Sequence, residues 1–228
     1  MPITTSMKDY YQARAPEYED FYDMPERLSD LAELKIWFGA EAHDRSILEI
    51  ACGTGYWTAE AAKVAKMILA TDFNSAPLEI ARSKGLGPHV SFAQADAYDL
   101  PEYDIAFDCG MAHFWWSHVA KSDQDIFLSH LAARLGNGAT ILMIDNNYIA
   151  GSNTPISHRD AQGDTYQVRT LSNGEQYEVL KNFPKTADIE TAFSKHCAVV
   201  EVRQWMYFWA VKAVLKTTDD NVARGSIS

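Results

Sequence analysis

Two rhythms of apolar residues run along this chain. Over residues 46–145 short continuous apolar runs alternate with stretches where apolar positions recur every three or four residues. The runs around Ile47–Ile50, Met67–Thr71, Val90–Ala93, Tyr103–Phe107 and Thr140–Ile144 predict buried strands. The stretches Tyr56–Ala65, Pro77–Lys84 and Asp123–Leu135 predict the helices between them. Such alternation predicts parallel pairing through right-handed crossovers. Upstream, Leu28, Leu31, Leu34 (or Lys35) and Phe38 mark a helix over 25–42, with Pro25 in its first turn. Residues 7–23 are rich in tyrosine and acids and are interrupted by Pro16, which predicts two short helical pieces lying over the rest.

Beyond residue 145 the rhythm changes. Thr165–Leu171 and Gln176–Phe183 flank Ser172-Asn-Gly174, a hairpin signal. Thr186–Lys195 reads as a helix whose Thr-Ala-Asp-Ile-Glu opening supplies a cap and first-turn acids. Ala198–Trp205 and Tyr207–Leu215 predict an antiparallel hairpin at a sheet edge, and residues 217–228 a polar, disordered tail.

Composition narrows the partners. With 228 residues, 47% hydrophobic and 22% charged, the chain fits one soluble α/β domain. A net charge of −11 argues against gripping a nucleic-acid backbone and for a small-molecule substrate. Cys52, Cys109 and Cys197 have neither even number nor metal-ligand spacing, so no metal and a reduced, cytoplasmic setting are expected. No signal peptide and no membrane-spanning run of about 20 apolar residues is visible, so no membrane association is expected. Nothing in the sequence sets the oligomeric state.

The chemistry concentrates at residues 46–58, where a strand breaks at Gly53-Thr-Gly55 and enters a helix. Glycines suit a turn whose backbone must approach a ligand closely. A dinucleotide fingerprint needs a third glycine at the position held here by Thr58, after bulky Trp57, and no Gly-Lys-Ser/Thr phosphate loop follows. What stands instead is Glu49-x-Ala51-x-Gly53-x-Gly55, then Asp72-Phe73 ending the second strand and Asp96-Ala97 following the third. In this order the pieces resemble the class I S-adenosylmethionine-dependent methyltransferases. The resemblance implies a Rossmann-like, doubly wound seven-stranded α/β sheet with an antiparallel C-terminal hairpin. It implies S-adenosylmethionine as cofactor, S-adenosylhomocysteine as product and no metal. Glu49 and the turn at Ala51, Gly53 and Gly55 would face the methionine end, Asp72 the ribose, and Asp96 and Ala97 the adenine. The domain then spans 1–216: a helical lid (1–42), the cofactor core (46–145), a substrate-side β-hairpin insertion (146–185) and the last helix and strands (186–216).

The acceptor side is drawn by other residues. Tyr11, Tyr18 and Tyr22 of the lid would close over the cofactor and acceptor, since aromatic faces attract a sulfonium. The loop after the fourth strand carries His113, Trp115, Trp116 and His118, two indoles for a pocket wall and two candidate bases. If Ser172-Asn-Gly174 makes a three-residue turn, Arg169 pairs with Tyr177, and Arg169 and Lys181 share a face; a two-residue turn would separate them. Arg169-Thr-Leu-x-x-Gly174, Lys181 and Phe183, with Ala112-His113 and His118-Val119, resemble the dehydrophos-type phosphonate O-methyltransferases. That likeness implies an anion held by Arg169 and Lys181, and one extra residue here separates the two histidines. O-methylation of an anionic or hydroxyl acceptor is therefore expected, with N-methylation, or cofactor binding without turnover, as the alternatives.

Overall fold

The computed structural model describes residues 3–217. Residues 218–228, where the sequence predicts the tail, lie outside the described residues. In chain order the strands are β1 Ser46–Glu49, β2 Met67–Asp72, β3 Val90–Gln94, β4 Cys109–Met111, β5 Thr140–Asn146, β6 His158–Arg159, β7 Thr165–Thr170, β8 Gln176–Leu180, β9 Cys197–Gln204 and β10 Phe208–Leu215. The helices are α1 Met7–Arg14, α2 Leu28–Ala42, α3 Tyr56–Ala61, α4 Ser75–Ser83, α5 Gln124–Ala132 and α6 Thr186–Ser194.

Seven strands form one sheet in the order β3-β2-β1-β4-β5-β10-β9, and β6-β7-β8 form a separate small sheet. β1 to β5 pair in parallel, whereas β10 runs antiparallel to both β5 and β9. Every residue of β1 and β5 is buried, as a parallel strand covered by helices on both faces requires. One core packs α2, α3 and α4 on one face through Leu34, Phe38, Trp57 and Leu78. The other packs α5 and α6 through Phe127, Leu131, Ile189 and Phe193. Strand order reverses between β1 and β4, so a crevice opens at their carboxyl ends, where ligands of such sheets bind.

Local departures from the sequence reading have physical causes. The fourth strand is Cys109–Met111, not Tyr103–Phe107. Only Phe107 of the predicted run is fully buried, and Ile105 is exposed. The true strand was disguised by Gly110, whose missing Cβ leaves room for Leu135: a Cβ there would lie 2.8 Å from Leu135 Cδ1. Leu28 is exposed because a 3₁₀ turn at Pro25–Arg27 precedes α2, so the apolar stripe starts at Leu31. Lys185, not a threonine, caps α6, its backbone N–H donating to Asp188 at 2.9 Å. The short strand β6 was not foreseen.

Gly55 caps α3 at φ +78°, and a Cβ there would sit 2.9 Å from Ala81 Cβ. Gly55→Ala therefore meets both left-handed strain and overpacking, together roughly 3 kcal/mol. A fall in melting temperature of about 6–12 °C is expected in a thermal melt; an unchanged melt would show that α4 yields freely.

The N-terminal segment is stitched to the small sheet. Thr4 N–H donates to Gln176 O at 3.0 Å and Glu178 N–H to Thr4 O at 2.8 Å. Tyr10 of α1 packs on Leu171, Tyr177 and Val179. These contacts lay α1 across the crevice.

Candidate active site

Two adjoining cavities occupy the crevice. The first, of about 210 Å³, is walled by the turn after β1 (Ala51, Gly53, Thr54), the end of β2 (Asp72, Phe73, Asn74), and Asp96, Ala97 and Tyr98 after β3. Asp72 is fixed at both oxygens, accepting from Gly53 N–H at 2.9 Å and Asn74 N–H at 2.8 Å. Burial raises its pKa while those two amides pull it back. Asp96 accepts from Tyr98 N–H at 3.0 Å and from Lys8 Nζ at 3.5 Å. Lys8 Nζ also lies 3.3 Å from the centre of the half-open Phe73 ring. Gly53 sits at φ +57°, and a Cβ there would reach Tyr18 Cε1 at 4.0 Å, inside the gap between turn and lid. Ala51 (φ +53°) and Phe114 (φ +57°) also hold left-handed backbone despite their side chains. Such strain, about 1–3 kcal/mol per residue, gathers at functional sites.

The second cavity, of about 420 Å³, lies between the lid, β7–β8 and the loop after β5. Arg14, Arg27, Arg169 and Lys181 line it, against one carboxylate, Asp20. The hairpin turn is the three-residue form: Gly174 N–H donates to Leu171 O at 2.8 Å and Leu171 N–H to Glu175 O at 2.9 Å. Arg169 pairs with Tyr177, so Arg169 and Lys181 do share a face. Arg169 bonds only neutral groups, Gln167 Oε1 at 2.8 Å and the Tyr10 hydroxyl at 3.4 Å. Among the described residues neither it, Arg14 nor Arg27 has a carboxylate within ion-pair distance.

Lys181 differs from Arg169. Its ammonium donates to Asp145 Oδ1 at 2.9 Å and to the Ser117 hydroxyl at 2.5 Å, with Asp145 fully buried. Burial drives its pKa down to about 8; Asp145 raises it and Arg169 lowers it further. Lys181 is thus a tethered cation beside a free one, rather than one of two equal cations.

Tyr11, Tyr18, Phe114 and His118 line both cavities and form the boundary between them. His118 Nδ1 lies 2.6 Å from Leu180 O, so it carries the proton, and Nε2 accepts from the Tyr11 hydroxyl at 2.7 Å. Burial first, then Lys181 and Arg169, keeps this imidazole neutral, well below the ordinary range. Burial also pushes the Tyr11 hydroxyl up, and that of Tyr18 to about 12. Both phenols therefore stay neutral.

Several predicted residues take other places. His113 touches the first cavity, but its Nδ1 accepts from Ile144 N–H at 3.1 Å, and its ring packs between Phe38 and Trp57 at 4.8 and 5.2 Å. Burial lowers its pKa to about 3, so its imidazole is neutral and packed into the core beside the cavity. Trp116 is 1% exposed and packs on Phe193, lining neither cavity, because the 3₁₀ turn Trp116–His118 sends it inward. Trp115 lines the first cavity, not the second. Tyr22 is stacked on Tyr56 at 3.7 Å behind the walls. Glu49 lies beneath the turn, accepting from the Thr58 hydroxyl at 2.7 Å, and Gly55 faces α4; neither lines a cavity. Burial raises the Glu49 pKa to about 8, with Asp72 adding to the rise and Thr58 opposing it. Arg14, Gln167 and Asp145 were missed. Asp145 carried a readable signal, an acid at the end of a strand, as Asp72 does.

The fold and the turn after β1 define the class: this is the fold of the class I S-adenosylmethionine-dependent methyltransferases. Residues 47–138 match the family described as a methyltransferase domain. A DhpI–SAM–HEP complex superimposes with TM-score 0.75 at 23% identity, covering 92% of this chain and 99% of that one. The PH0226 protein from Pyrococcus horikoshii gives 0.71 at 15% identity over 92% and 100%. In sequence, a ubiquinone/menaquinone biosynthesis C-methyltransferase UbiE from Teredinibacter turnerae is 33% identical over 114 residues, 47% of this chain and 45% of that protein. A demethylmenaquinone methyltransferase from Clavibacter sepedonicus is 30% identical over 112 residues, 46% of each. The chain thus spans less than half the length of these relatives. Among the described residues no helix is long and apolar enough to cross a membrane, and no His, Cys, Asp and Glu group is arranged to hold a metal.

The first cavity is the part of the site whose ligand is most sharply specified. Its fixed carboxylate at β2, second carboxylate at Asp96, open glycine turn and aromatic lid suit a nucleoside bearing a cationic tail. Asp72→Ala is expected to weaken S-adenosylhomocysteine binding by roughly 30-fold, about 2 kcal/mol for losing charge-assisted hydrogen bonds. Isothermal calorimetry measures it; binding within about twofold of wild type would remove Asp72 from the cradle.

Proposed function

We propose that the chain transfers a methyl group from S-adenosylmethionine to an oxygen of a small anionic acceptor, a carboxylate or phosphonate. The observation that carries the reading is the cluster of Arg14, Arg169 and Lys181 in a cavity that shares one aromatic wall with the first cavity. The cofactor, when bound in the first cavity, supplies an electrophilic methyl on a sulfonium. Asp72 and Asp96 hold its nucleoside end, and the faces of Tyr11 and Tyr18 screen the sulfonium from water. Arg169 and Arg14 hold the acceptor anion and Lys181 fixes its position from the Asp145 anchor. An ionised oxygen needs no base, and His118 with both nitrogens engaged offers none. The work left to the protein is alignment of oxygen, methyl carbon and sulfur, which contributes up to about 7–11 kcal/mol in favourable systems.

A cation-lined cavity works against an ammonium acceptor, which would meet like charge. The likeness to C-methyltransferases covers 47% of this chain at 33% identity, too little to carry over their acceptor. The test is turnover of methyl-labelled S-adenosylmethionine against matched panels of carboxylates and phosphonates, phenols, and amines. Methyl esters from the acids are expected. Product from the amine panel alone would overturn the reading.

A further inference from the structure

The two edge strands of the large sheet are β3 and β9, and the chemistry of β9 is matched to itself. Trp205 N–H bonds Phe208 O at 2.8 Å, which fixes the alternation of the β9–β10 ladder. It follows that the amides and carbonyls of Val200, Val202 and Gln204 point away from β10, towards the edge. A row of unpaired backbone groups there is a template for another strand. β9 lacks most of the usual defences: it is eight residues long, contains no proline or lysine, and pairs with β10 without a bulge over residues 199–204, leaving Glu201 and Arg203 as its charges.

We infer that two copies of this chain pair through β9 in antiparallel register centred on Val202, making one continuous sheet across a two-fold axis. Three features converge on that register. Val202 would exchange both backbone hydrogen bonds with the partner copy's Val202, and Val200 with the partner copy's Gln204, so every outward group is used. Glu201 would face the partner copy's Arg203 on each side of the axis, two opposite-charge pairs generated by one sequence step. Within the chain neither side chain has a charged partner among the described residues, since Lys212, across from Glu201, is held by Glu41 at 2.7 Å. The same register sets Val199 opposite the partner copy's Trp205 and Ala198 opposite its Met206. Val199 and Met206 are 44% and 62% exposed in the single chain, both among its exposed large apolar residues. Shifting the register by two residues sets Glu201 against the partner copy's Glu201 or Arg203 against its Arg203, so charge selects the centre.

The test is sedimentation equilibrium of the full chain at micromolar concentration, independent of any catalytic reading. Wild type is expected to be dimeric. Glu201→Arg or Arg203→Glu alone sets like charges opposite one another twice and should weaken dimerisation by about tenfold or more. The double exchange Glu201→Arg with Arg203→Glu should restore it. Val202→Pro removes the central donor at an outward-facing amide, a position where an edge strand tolerates proline, and should give a folded monomer by thermal melt. A monomeric wild type, a dimer that both single reversals leave intact, or a Val202→Pro dimer overturns the inference.

Discussion

Arg169→Ala is expected to lower kcat/KM for the acceptor by roughly 150-fold, about 3 kcal/mol, within the range measured when a buried partner of a charged group is truncated. The cofactor dissociation constant should move less than about threefold in the same variant, because Arg169 lines the second cavity and not the first. The magnitude follows from how Arg169 is held. Its guanidinium is half-buried against Tyr10 and Gln167, neutral groups that orient it without neutralising it. A cation kept in place without a carboxylate is prepared for an anion arriving from outside the chain. Arg169→Lys should recover only part of the loss, since a point charge cannot reproduce a planar fork against a carboxylate or phosphonate. Steady-state kinetics with calorimetry of S-adenosylhomocysteine separates the two effects. Equal acceptor kinetics in wild type and Arg169→Ala would sink the anion reading.

That arginine was legible from sequence, and the reason is instructive. Alternation with period two decides which residues share a face of a hairpin once the turn length is known; the sequence left two lengths open, and the three-residue turn of the structure puts Arg169 and Lys181 on one face. The cofactor side was legible for a similar reason. Acids at the ends of parallel strands sit at the crevice whatever the helices do, and Asp72 and Asp96 both line it. Burial was not legible. Lys181 and His118 look like free titratable groups in a string of letters, yet each is claimed by a partner distant in sequence: Asp145 for one, the Leu180 carbonyl and Tyr11 for the other. Trp116 and His113 lie in the same loop as His118, but a 3₁₀ turn and a left-handed Phe114 turn them into the core. The fourth strand escaped because Gly110 reads as a breaker, while its missing side chain makes room for Leu135.

The lid binds the two cavities into one unit. Tyr11 closes on His118, Glu19 accepts from the Thr54 hydroxyl at 2.6 Å and pairs with Lys84 at 2.5 Å, and Thr4 pairs with β8. One segment thus touches the turn after β1, the end of the helix after β2 and the β7–β8 hairpin. Its residues line both cavities at once, and excluding water there strengthens every charge interaction inside.

The Lys181–Asp145 pair supplies the second large effect, on stability and on pH dependence together. The folded protein releases the Lys181 proton near pH 8, whereas an unfolded chain holds it to the ordinary 10.5. Between those values the unfolded state binds more protons, so this group's contribution to stability rises with pH. Acceptor binding runs the other way and should decline as pH climbs through about 8, when the tethered cation is lost. Asp145→Asn leaves a buried ammonium without its counter-charge, destabilising the fold by about 3–5 kcal/mol. The melting temperature should drop by roughly 6–20 °C. The same substitution removes the interaction that raises the Lys181 pKa, so the decline in acceptor binding should move below pH 8. Asp145→Asn combined with Lys181→Met should regain much of the lost stability, because no unpaired charge remains, while acceptor KM stays high at every pH. Thermal melts and a KM profile from pH 6 to 9 for the three proteins read both effects. An Asp145→Asn profile that coincides with wild type would remove Lys181 from the acceptor site and leave Arg169 with Arg14 as its cations.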